Sequence, residues 1–174
     1  MTRRPIIAAF GLLGLVALGA PRLMGGPPSL IWNTTASAPE GLYRLRPSQA
    51  LHAGDLVAVR PPEPLAAWLA QRNALPPGVL LIKRVAALAP SMVCRREAQV
   101  TIDGALAARA SLADRQGRPL PSWRGCRRLG QGDVFLLNTA AGSLDGRYFG
   151  PLKRDAVVGR VTPLWLSKVS ADGA

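Results

Sequence analysis

The chain has 174 residues, 48% of them hydrophobic, with 22 Lys and Arg against 10 Asp and Glu and a formal net charge of +12. That is one domain, or one domain plus an anchor, with enough apolar residues for a real core; 18 Gly, 16 Pro and few aromatics suit short strands joined by turns better than a helical bundle. The basic surplus is scattered, with pairs only at Arg95-Arg96 and Arg127-Arg128; without a helix-turn-helix or aromatic-rich motif it speaks against nucleic acid and for a solvated surface near lipid headgroups.

Thr2-Arg3-Arg4 leads into an apolar run over residues 5–20, broken by Pro21-Arg22. The run is short of the roughly 20 residues of a spanning helix, but Leu23 and Met24 extend it if Arg22 snorkels. Residues 1–24 are expected to form a retained N-terminal transmembrane helix. The rival reading is a cleaved signal peptide with Ala17-Leu18-Gly19 as a small-x-small site. Either way Arg3 and Arg4 stay in the cytoplasm, and everything after about residue 25 is exported. Residues 25–32 read as a juxtamembrane linker with Trp32 at the interface, 33–168 as the exported domain and 169–174 as a tail.

Within that domain, Gly41-Leu42-Tyr43-Arg44-Leu45 alternates like a short strand, Ala53-Gly54-Asp55 is a turn, and Leu56-Val57-Ala58-Val59 is a buried strand. Pro61-Pro62 and Pro76-Pro77 bracket a short amphipathic helix with Leu65, Trp68, Leu69 and Arg72 on one face, for packing on the domain body or for membrane or substrate contact. Residues 79–88 form the longest apolar strand. Residues 92–107 read as a hairpin turning at Asp103-Gly104, and residues 110–130 as polar, with a surface loop at 114–119. Residues 134–137 form another strand, residues 140–146 a loop, and residues 157–161 a closing strand. The expected fold is a mainly β domain. Cys94 and Cys126, in an oxidising compartment, read as a disulfide, and closing a loop of about thirty residues contributes roughly 3–4 kcal/mol. No metal or cofactor is implied, since His52 has no ligand partners at motif spacing.

Lys83 carries the chemistry. By strand alternation it shares a face with Val79, Leu81 and Val85, so burial disfavours its charged form and leaves a neutral amine as general base at pH 7. Arg84 cannot serve, because its guanidinium stays protonated. Ser37 lies between a polar Asn-Thr-Thr stretch and Pro39, which biases Ala38 to extended conformations and presents the serine on a stiff loop with its amide free. The Thr35 hydroxyl is a candidate second oxyanion donor. A competing triad would use His52 with a serine and an aspartate.

Three ordered segments carry a resemblance: Thr35 with Ser37-Ala38-Pro39, then Ile82-Lys83-Arg84-Val85, then Ser143-Leu144-Asp145-Gly146-Arg147-Tyr148-Phe149-Gly150-Pro151. They resemble the serine, lysine and Asp-Ser-Arg boxes of type I signal peptidases, and the Asn-x-Thr-x-Ser-x-Pro-x-Gly-Leu-Tyr form is most similar to the TraF-type conjugative-transfer branch. The resemblance implies an antiparallel signal-peptidase-like β fold. It implies Ser37 as nucleophile, Lys83 as base, Thr35 in the oxyanion hole, Ser143 orienting the lysine amine, and Asp145 with Arg147 bracing the loop. It also implies a membrane-anchored serine endopeptidase acting on exported precursors with small residues near the cut. Pilin-like subunits of a conjugation apparatus are the expected partners, with cyclisation open if an amine intercepts the acyl-enzyme. The methionine that follows the nucleophile in ordinary leader peptidases is missing, Gly146 replaces the middle serine of the third box, and Ala89-Pro90-Ser91 stands where Pro-Gly-Asp often follows the lysine strand. The alternative is a non-catalytic, membrane-anchored assembly protein of a conjugation or secretion apparatus.

Overall fold

Apolar-polar alternation becomes visible strand by strand in the computed structural model, which describes residues 29–48 and 50–167. In Gly41–Arg46 (β2), Tyr43 and Leu45 are buried while Arg44 and Arg46 face out. Around it stand Leu30–Asn33 (β1), Leu56–Val59 (β3), Leu81–Leu88 (β4), Asp133–Leu137 (β9), Leu152–Lys153 (β10) and Val157–Leu166 (β11). Together they make a seven-stranded sheet in the order β1-β2-β11-β3-β4-β9-β10. A second sheet holds Met92–Arg96 (β5), Gln99–Ile102 (β6), Ala105–Arg109 (β7) and Gly125–Arg128 (β8), ordered β7-β6-β5-β8. Every strand pairing is antiparallel. The small sheet is an insertion between β4 and β9, which lie side by side in the large one.

Three apolar clusters hold this together. Val57, Val59, Leu81, Val85, Val134 and Leu136 share one face of the large sheet, closed by Leu69 of the helix Glu63–Gln71 (α1). Tyr43, Leu45, Ala58, Ile82 and Val161 share another cluster with Ala38. Val93 and Val100 of the small sheet meet Ala87, Phe135 and Leu137 of the large one. The helix packs on the domain body: Leu69 is buried, Trp68 meets Phe149 edge to face at 5.8 Å, and the Arg72 guanidinium lies 4.4 Å over the Trp68 ring.

The structure departs from the sequence reading at several points. Residues 92–107 are part of a three-stranded meander: the first turn falls at Glu97, whose φ is 52°, and Asp103-Gly104 joins the second strand to the third. The polar stretch 110–130 also holds a strand that the sequence did not announce: β8 pairs with β5 and sets Cys94 opposite Cys126. The expected disulfide is formed there. The lysine strand begins at Leu81, and Val79 is outside it and exposed. Leu30 to Trp32, read as linker, pair with β2, and Trp32 stacks on Trp165 at 5.5 Å. The expected transmembrane segment, 1–24, and the tail, 169–174, lie outside the described residues. Among those described, no helix is long and apolar enough to cross a membrane.

Candidate active site

The serine loop is built around one buried side chain. Asn33, at the end of β1, donates from Nδ2 to the carbonyls of Thr35, Ala38 and Pro39 at 3.0–3.1 Å. Its Oδ1 accepts from the Thr35 amide at 3.1 Å and from the Thr35 hydroxyl at 2.8 Å. Tyr43 closes the far end by donating to the Pro39 carbonyl at 2.6 Å, and burial raises its phenol so that it stays a donor. Gly41 then admits the chain into β2, since a Cβ there would lie 2.1 Å from the Trp165 carbonyl oxygen. Ser37 is half-buried on this loop, anchored by Ala38 in the cluster that includes Ile82.

The hydroxyls of Ser37 and Thr35 are 3.1 Å apart. Thr35 has a single hydroxyl proton, and Asn33 Oδ1 can only accept, so the Thr35 proton goes to Asn33 and the Ser37 hydroxyl donates to Thr35. Thr35 therefore serves here as an acceptor that orients Ser37. Serving as an oxyanion donor requires its proton to leave Asn33.

Lys83 lies on the apolar face of β4, opposite Val57 and between Leu81 and Val85, and is 2% exposed. Its Nζ donates to the buried Ser143 hydroxyl at 2.7 Å. Burial pulls the amine down to about 8; Asp145 opposes that shift and Arg147 reinforces it. At pH 7 such an amine is about one-tenth neutral, so the neutral resting base expected from the strand pattern is a minority form. A narrow recess beside Lys83 is lined mainly by Val59, Leu81, Leu136, Leu144 and Phe149.

Asp145 caps the short helix Gly146–Phe149 (α2). Its Oδ1 accepts from the Arg147 amide at 3.1 Å and Nε at 2.9 Å. Its Oδ2 accepts from Arg147 Nη2 at 2.8 Å and the Asn138 amide at 3.0 Å. Arg147 also donates to the carbonyls of Asn138 and Ala140 at 2.7 and 2.9 Å, so the loop carrying Ser143 closes around a guanidinium. Burial alone would lower Arg147, but the hydrogen bond and charge of Asp145 more than offset it and raise it. Glycine at 146 has a packing reason: a Cβ would lie 2.7 Å from both the Leu136 carbonyl and the Phe135 ring.

Three residues of the site escape the sequence reading. Asn33 belongs to the first motif but carried no role. Asn138 looks like any polar residue ending a strand. Arg95, read as part of a scattered surface, is 2% exposed and donates to the Arg147 carbonyl at 2.5 Å. Trp123 adds a bond to the Gly146 carbonyl at 2.9 Å, so the small sheet grips the helix after Asp145. His52 is on an exposed turn with Nδ1 3.7 Å from Asp55.

Residues 3–166 match the family described as signal peptidase, peptidase S26. The chain is 35% identical to a conjugal transfer protein TraF of Agrobacterium fabrum, over 95% of this chain and 98% of that one. It is 31% identical to a plasmid transfer protein TraF of Escherichia coli, over 91% and 93%. A signal peptidase I crystal structure from Enterococcus faecalis aligns with 66% of this chain and 98% of its own, at 20% identity and a TM-score of 0.39.

Proposed function

This chain belongs to the peptidase S26 family of signal peptidases, in its TraF-type branch, and from that we propose that it is a membrane-anchored serine endopeptidase that cleaves exported precursors, conjugative pilin subunits first among them. The observation that carries the chemistry is Lys83: an amine 2% exposed, lowered to about 8 and held by a buried hydroxyl, on the strand to which the serine loop is tied. Neutral Lys83 takes the Ser37 proton as the oxygen attacks the scissile carbonyl. The Ser37 amide and a Thr35 hydroxyl released from Asn33 hold the oxyanion. Protonated Lys83 then gives its proton to the leaving amine, and water, or an amine in a cyclising product, releases the acyl-enzyme. Exposed Leu30, Trp32, Leu164 and Trp165 suit a membrane-side rim, with the domain on the periplasmic side.

Detergent-solubilised full chain is expected to shorten a conjugative pilin precursor, and Ser37→Ala and Lys83→Ala each to lose at least about 10³ in rate. Processing that survives both substitutions rules out the dyad; wild-type protein that never cleaves favours the assembly-protein reading.

The pH dependence has a definite sign. The base must be neutral, so kcat/KM is expected to rise about tenfold per pH unit below about 7 and to level off above about 9, around the value of about 8 for Lys83. Initial rates flat from about pH 6 to 9 would remove Lys83 from the role of base.

A further inference from the structure

We infer that Asn138 is the positioning residue that holds the Ser37 loop in register with the Lys83 strand. This rests on the dyad reading above and concerns a side chain that touches neither reacting atom.

The pairing of β4 with β9 covers Arg84, Val85, Ala87 and Leu88 and stops where β9 ends, at Leu137. The edge of β4 around Lys83 needs another partner there, and the Asn138 carboxamide supplies it. Its Oδ1 accepts from the Arg84 amide at 3.0 Å and its Nδ2 donates to the Ile82 carbonyl at 3.1 Å. These are the two main-chain groups flanking Lys83. The second Nδ2 hydrogen goes to the Ser37 carbonyl at 2.5 Å. Both donors and the acceptor are engaged, and a flipped amide would set its oxygen against two carbonyls, so only one orientation fits. The Asn138 main chain is itself fixed: its amide donates to Asp145 Oδ2 at 3.0 Å and its carbonyl accepts from Arg147 at 2.7 Å.

One planar group thus joins the serine loop, the lysine strand and the ion-paired loop that presents Ser143. Further bonds of the serine loop run to Asn33 and Tyr43, on the strands that flank it, and from the Ser167 amide to the Glu40 carbonyl at 2.9 Å; none of these reaches the lysine strand. Proton transfer between Ser37 and Lys83 tolerates little misplacement, and about 1 Å can lower a rate by about 10².

The test uses full-length protein in detergent with the same pilin precursor, beside Ser37→Ala and Lys83→Ala. Asn138→Ala is expected to lower kcat by about 10² with KM within about threefold, since the carboxamide is fully engaged by main-chain groups of the chain itself. Asn138→Asp is nearly isosteric, so it guards against a variant that merely fails to fold. It keeps the acceptor for Arg84 but turns both donors into acceptors, and it adds negative charge near Lys83. Its kcat is expected to fall as well, and the acid limb of its pH profile to move to higher pH. Lower melting temperatures with unchanged kcat per folded molecule and an unchanged limb would overturn the inference, leaving a purely structural asparagine. If Ser37→Ala and Lys83→Ala still cleave, it is the dyad that fails; if they are dead while both Asn138 variants turn over normally, only the role of Asn138 fails.

Discussion

Lys83→Met is expected to abolish precursor cleavage and, in the same protein, to raise the melting temperature. Methionine fills a similar volume without a charge. An amine lowered from 10.5 to about 8 costs the folded state about 3 kcal/mol at neutral pH. Loss of the hydrogen bond to Ser143 returns about 1 kcal/mol of that. The net gain of about 1–2 kcal/mol corresponds to a rise of about 3–8 °C for a domain of this size. The sign with pH follows from linkage. Between about 8 and 10.5 the unfolded wild-type chain binds more protons than the folded one, so wild-type stability increases as pH rises through that window. The advantage of the methionine variant is therefore greatest below about pH 8 and shrinks towards 10.5. Calorimetry at about pH 7 and pH 10 reads both effects. A variant that melts lower than wild type at neutral pH would mean the amine is well solvated, and would remove the physical basis for its acting as a base.

The largest loss of stability is expected from Asp145→Ala. The carboxylate accepts four hydrogen bonds, three of them from Arg147, and both residues are buried. Removing it leaves a guanidinium without its counterion inside the protein, a change that typically costs about 3–5 kcal/mol. Replacing both partners by apolar residues of similar volume is expected to cost less than the single change, because no charge is then stranded. Urea midpoints of the three proteins test this, and a single-variant loss under about 1 kcal/mol would show that water replaces the carboxylate. A catalytic signature accompanies the stability loss. Asp145 raises the Lys83 amine, so any residual activity of the variant is expected to have its acid limb at lower pH than wild type, opposite to Asn138→Asp.

Some of the site was legible because it depends on local pattern. Alternation along residues 81–85 is enough to bury Lys83 with Leu81 and Val85, as any half-buried strand does. Two cysteines in a segment expected to be exported are enough to expect a bond, and paired prolines to bracket a helix. Other elements left little trace. The turn at Glu97 lacks the glycine that marks the one at Asp103-Gly104, and β8 is exposed along its length, so it shows no apolar alternation. Asn33, Asn138 and Arg95 are ordinary polar residues until their partners arrive.

The sequence by itself determined a strand-rich domain, a lysine confined to an apolar face, a stiff serine loop and three boxes in order, because each depends on neighbours a few positions away. Only the tertiary structure decided what surrounds them. The Ser37 carbonyl is 101 positions from Asn138, the Lys83 amine 60 from Ser143, and the Arg95 guanidinium 52 from the Arg147 carbonyl. A hydrogen bond between buried groups is directional and needs both atoms placed within a few tenths of an ångström. No pattern of residue types states such a distance; strand order and register in the large sheet set the first two, and the packing of the small sheet against it sets the third.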